Sequence, residues 1–140
     1  MDHFMHLKVE TPFKPHARYV VTVEKGLIPD DMPRTGQFRL DHTPNPGFKL
    51  NQVGYANTAT RKYVYLSSYL GDGEPVDVSA FSMFEVRNAS TNETVLEGDI
   101  EFISEKDLQG NDELYRLDIS GLKQEGWFYI WVDGFGRSYV

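Results

Sequence analysis

Gly126-Trp-Phe-Tyr-Ile-Trp-Val132 is an unbroken apolar and aromatic run. We read it as a β-strand, in which alternate side chains point to opposite faces. Phe128, Ile130 and Val132 then form one set, and Trp127, Tyr129 and Trp131 the other. The first set carries no polar atom and is the better core, because a buried indole N–H or phenol O–H demands a partner. The second set becomes an aromatic stripe on the outer face, with rings recurring about every 6.6–6.8 Å. Such a ladder suits three occupants: residues 1–46 of the same chain, a neighbouring protein domain, or stacked sugar rings.

The same reading extends in both directions. Upstream, strand signals recur at Phe48–Gln52, Lys62–Ser67, Phe81–Arg87, Thr94–Ile103 and Leu114–Asp118, and Arg137–Val140 is the last. Short strands at this spacing, separated by polar breaks such as Asn88–Glu93 and Ser104–Asp112, predict an all-β antiparallel sandwich. Ile119–Glu125 is too short and too Gly-flanked for a stable helix. Two further strands, Arg18–Glu24 and Gln37–Asp41, are separated by a Gly- and Pro-rich stretch over Gly26–Gly36. The Pro-containing break His42–Gly47 divides the chain into an N-terminal extension, residues 1–46, and a main domain, residues 47–140. The extension is expected to add one or two strands packed on the sandwich.

Composition agrees. Aromatics make up 14% of the 140 residues, and 12 Gly and 7 Pro punctuate the chain. Asp and Glu number 21 against 14 Lys and Arg, a formal charge of −7 with no basic cluster to reverse it, so nucleic acid is not an expected partner. No apolar run approaches the roughly 20 residues of a membrane helix, and residues 1–15 lack the apolar core of a secretory signal. The absence of cysteine removes disulfides and thiolate metal sites, but it does not assign a compartment.

Little in the sequence points to catalysis. Asp72, Glu74 and Asp77 surround Gly71-Asp-Gly73 in an apparent loop, where solvated charge is the plain reading and a calcium loop the sharper one. His3 and His6 supply two of the ligands a metal would need and lack a third. No nucleophile elbow and no phosphate-cradling loop is present. We expect no catalytic residue, no metal and no cofactor in this chain.

Phe48-Lys-Leu-Asn-Gln-Val-Gly-Tyr55 resembles the opening of the N-terminal immunoglobulin-like domain of family 9 glycoside hydrolases, the cellulase N-terminal Ig-like domain. The order of later segments agrees: Phe84-Glu-Val86, Val95-Leu-Glu-Gly98, Tyr115-Arg-Leu-Asp-Ile-Ser120, and the closing Val132-Asp-Gly-Phe-Gly-Arg-Ser-Tyr139. Asn51, Gln52, Gly54 and Tyr55 mark the first motif; Gly134, Arg137, Ser138 and Tyr139 mark the last. Each has a structural reason to be there. Gly54 permits a sharp turn, Asp133-Gly134 suits a tight hairpin, and Tyr55 and Tyr139 can bury their rings with the hydroxyls bonded.

The resemblance implies an immunoglobulin-like antiparallel β-sandwich with an N-terminal extension. It further implies an accessory domain that packs on and stabilises a catalytic domain absent from this chain. The parent would be a glycoside hydrolase of the polysaccharide-degrading type, acting on β-linked glycans, secreted or on the cell surface of a bacterium. None of that family's catalytic motifs is present, and Gly71-Asp-Gly73 departs from its Asp-Ala-Gly-Asp signature. A carbohydrate-binding module using Trp127, Tyr129 and Trp131, or a structural Ig-like domain of a cell-surface protein, are the alternatives.

Overall fold

The computed structural model describes residues 9–11, 13, 14, 16–67, 78–104 and 113–140. Among them run nine strands: β1 Tyr19–Thr22, β2 Thr35–Phe38, β3 Phe48–Lys49, β4 Tyr63–Leu66, β5 Met83–Asn88, β6 Thr94–Ser104, β7 Leu114–Asp118, β8 Phe128–Val132 and β9 Gly136–Arg137. Every strand pairing is antiparallel. The fold is the all-β sandwich that the strand pattern predicts.

β3 to β9 are hydrogen-bonded in the order β3-β4-β7-β6-β5-β8-β9. The sandwich arises because β6, at 11 residues, outruns both its neighbours. Its first part, Thr94–Asp99, pairs with β5, and its last part, Ile100–Ser104, pairs with β7. One strand therefore belongs to two layers, β3-β4-β7-β6 and β6-β5-β8-β9. Their inner faces meet in a single core: Phe48, Val64, Leu66, Tyr115 and Leu117 from one layer, Phe84, Val86, Ile130 and Val132 from the other. Period-two alternation supplies those residues directly, as in the buried Val64 and Leu66 flanked by half-buried Tyr63 and Tyr65. Phe84 lies opposite Gly98 in the β5–β6 register, and a Cβ at Gly98 would come within 2.7 Å of the Phe84 ring.

β1 and β2 form a separate two-stranded sheet with its own aromatic cluster. Phe13 meets Tyr19 and Phe38 edge-on at 4.5 and 4.9 Å, and Tyr19 stacks on Phe38 at 5.3 Å. Tyr19 and Phe38 are also register partners, which holds β2 to Thr35–Phe38 rather than the expected Gln37–Asp41. Beyond Phe38 the chain turns, with the Thr43 amide donating to the Arg39 carbonyl. It then runs beside β9: Pro44 makes a parallel bridge to Arg137, and Asn45 donates from its backbone to Arg137 O and from its side chain to Phe135 O.

Strand ends are shorter than the sequence suggests wherever a side chain captures the backbone. β3 stops at Lys49 instead of Gln52 because Asn51 folds the next residues into a turn. β8 begins at Phe128, one residue after Trp127. Residues 119–125 contain no helix. The Gly71–Gly73 loop with Asp72, Glu74 and Asp77, the break at 105–112, and His3 and His6 lie outside the described residues.

Candidate interdomain surface

The Asn51–Tyr55 turn is built by two side chains. Asn51 Oδ1 accepts from the Val53 amide and its Nδ2 donates to the Gly54 carbonyl, while the Gly54 amide donates back to Asn51 O. Gly54 has φ +103°, a conformation that L side chains rarely adopt. The Tyr55 hydroxyl accepts from the Asn51 amide and donates to Tyr63 O at 2.7 Å, fastening the turn to β4. Gln52 and Val53 are left at the tip, Val53 being 97% exposed.

The closing motif works differently. Gly134 lies in the β8–β9 turn with φ +80°, and the Phe135 amide donates to Val132 O. Ser138 is fully buried: its Oγ accepts from the Ile130 amide at 2.9 Å and donates to Tyr139 O. Since Ser138 points inward, Tyr139 points out and is half exposed. Its ring is not buried as expected; the alternation set by Ser138 turns it to the surface.

Of the aromatic triplet, Tyr129 and Trp131 are each 5% exposed while Trp127 is 75% exposed. Ile130 and Val132 enter the core and Phe128 packs against it. Arginines close over the other face, Arg137 above the Tyr129 ring at 4.1 Å and Arg87 above the Trp131 ring at 5.2 Å. The Tyr129 hydroxyl is bonded to Asn92 Oδ1. Arg87 is held by both oxygens of Glu85, and that contact lowers the Glu85 pKa and raises that of Arg87. Trp127, Tyr129 and Trp131 therefore do not form an open ladder of three rings. Trp127 precedes the strand and remains exposed.

Beside Trp127 opens a hollow of about 500 Å³, lined by Val53, Lys62, Glu125, Trp127, Phe128 and Val140 among others. Asn57 Nδ2 donates to Glu125 Oε1 at 2.8 Å near its rim. Lys62 is buried with its ammonium donating to the carbonyls of Asn57 and Leu122. Burial lowers its pKa, and the neighbouring Lys123 adds to that. Across the same turn a second hollow is walled by Tyr55, Tyr63, Tyr65 and Tyr139. Sequence reading singled out Trp127, Tyr55 and Tyr139 and missed Val53 and Lys62. An apolar residue inside a turn motif, where no core periodicity requires one, was the available signal for Val53.

Several of the described carboxylates are engaged in structural contacts. Asp41 is paired with Arg39, which holds its pKa at about 2, and with His16. Glu101 pairs with Arg116, and Asp118 accepts from Ser120, which lowers its pKa. Among the described residues no three His, Asp or Glu side chains are grouped to hold a metal ion.

Two layers sharing one long strand, closed by a C-terminal hairpin, define an immunoglobulin-like sandwich module. Residues 43–137 match the family model of the cellulase N-terminal Ig-like domain, and the chain belongs to that family. Its fold is similar to part of a metagenome-derived glycoside hydrolase family 9 endoglucanase, at 29% identity and a TM-score of 0.53, covering 65% of this chain and 16% of that one. It is also similar to a Bacteroides ovatus GH9 structure at 22% identity and a TM-score of 0.49, over 66% of this chain and 15% of that one. The chain thus spans about one sixth of the length of these structures. No curated protein matches it.

Proposed function

We propose that this chain is an accessory domain of a glycoside hydrolase acting on β-linked glycans, packing on and stabilising a catalytic domain carried elsewhere on the parent polypeptide. In this reading the domain performs no hydrolysis itself. The observation that carries it is the family match over residues 43–137. The likeness to part of a family 9 endoglucanase supports a parent of that class.

The test compares the 140-residue chain with the full-length parent on soluble β-glucans and chito-oligosaccharides. Reducing sugar is expected from the parent and none from the chain. Hydrolysis by the chain alone, abolished by one Asp or Glu substitution, would sink the reading. Direct polysaccharide contact is a second reading, supported by the one exposed indole, Trp127.

A further inference from the structure

We propose that the hollow beside the Asn51–Tyr55 turn, with Trp127 and Val53 at its mouth, is the face on which the catalytic domain of the same polypeptide sits. This rests on the accessory-domain reading and adds to it a place and an anchor residue. Val53, Trp127 and Val140, at 97%, 75% and 52% exposure, line one hollow. Tyr139, at 50%, lines the hollow on the other side of the same turn. Four large apolar side chains thus crowd one end of the sandwich, with Asn57, Gln124 and Glu125 beside them. An apolar centre with a polar margin is the anatomy of a protein interface, and tryptophan is the residue type that most often anchors one.

The occupant follows from where that face lies. Members of this family are N-terminal domains by description, so in them further chain follows the last strand. Here the residues after β9 run back along β8, with the Ser138 amide donating to Ile130 O, and they bring Tyr139 and Val140 to the two hollows. In a family member whose chain continues past this strand, the face would adjoin the covalent connection. A tethered domain meets such a nearby surface at high effective concentration, so a modest apolar contact suffices to hold it.

Hydrogen bonds hold the backbone of this surface in place. Ala89 N donates to Trp127 O, Tyr55 fastens the turn that carries Val53, and Lys62 ties residues 57 and 122 together beneath the hollow. Little ordering of backbone is left to oppose docking.

Hydrogen exchange measured on the full-length parent and on the 140-residue chain tests the assignment, together with heat inactivation of the parent and its Val53→Ser/Trp127→Ala variant. Amides of residues 51–55 and 126–128 are expected to exchange at least tenfold more slowly in the parent. The double variant should lose that protection and inactivate several-fold faster, while the melting temperature of the 140-residue chain is unchanged by the same substitutions. Protection at a different surface, with the variant behaving as wild type, overturns the assignment and leaves the accessory role standing. Saturable quenching of the chain's fluorescence by cello-oligosaccharide, lost in Trp127→Ala, overturns it in favour of a sugar platform. A dimer of the chain that Trp127→Ala dissociates overturns it in favour of self-association. A parent without a catalytic domain removes the accessory reading itself.

Discussion

The hydroxyl of Tyr55 donates to the main-chain carbonyl of Tyr63 at 2.7 Å and accepts from the Asn51 amide at 3.1 Å. One oxygen atom therefore joins both ends of the Asn51–Tyr55 turn to β4. Tyr55→Phe keeps the ring and removes both bonds; water can replace the hydroxyl at the exposed Asn51 amide, and the loss is about 0.5–1.5 kcal/mol. Urea unfolding of the variant should show that loss with an unchanged slope.

Gly54 and Gly98 fail for opposite reasons when a side chain is added. Space around a Cβ at Gly54 is open, so Gly54→Val acts through its φ of +103° alone, a strain of about 1–3 kcal/mol. At Gly98 the obstacle is the Phe84 ring at 2.7 Å, and Gly98→Ala should cost about 1–3 kcal/mol through overpacking. A Phe84→Leu background should relieve the Gly98→Ala penalty and leave the Gly54→Val penalty intact. Denaturation midpoints of the single and double variants check both statements.

Ser138 should behave as a core residue in spite of its hydroxyl. Ser138→Ala leaves the buried Ile130 amide without its Oγ acceptor, and a loss of about 1–3 kcal/mol is expected. Ser138→Thr retains the hydroxyl, and the Ile130 amide should stay protected from exchange in it while opening in the Ala variant.

Asp41 links pH to stability. Arg39, donating to its carboxylate, is the largest cause that brings its pKa from 3.8 to about 2. A carboxyl depressed in the folded state contributes stability that is fully present above the unfolded value and is lost as pH falls from 3.8 towards 2. The contribution is at most about 2 kcal/mol. A carboxyl ¹³C titration should place Asp41 near 2 in the wild type and closer to 3.8 in Arg39→Gln.

Much of the fold was legible because its strands are short, β-branched and separated by polar breaks, so alternation alone assigns Val64, Leu66, Ile130 and Val132 to the core. Strand ends were less so. Asn51 stops β3 by bonding its own downstream backbone, and the Tyr19–Phe38 stack sets where β2 lies. Both are contacts that a hydrophobic period does not encode. The aromatic triplet shows the same limit in the site. Alternation separates Tyr129 and Trp131 from Ile130 and Val132, but their cover comes from Arg137, their neighbour on β9, and Arg87, on a strand 40 residues away in the chain.

β6 carries a further consequence. Because Thr94–Asp99 and Ile100–Ser104 ladder to different layers, neither layer can detach without breaking the hydrogen bonds of a strand the other needs. A tug on one sheet is handed to its opposite across a continuous main chain rather than only through side-chain packing. Such a joint couples the two layers through the backbone, so that the core they enclose opens only when β6 itself is unzipped from β5 or β7.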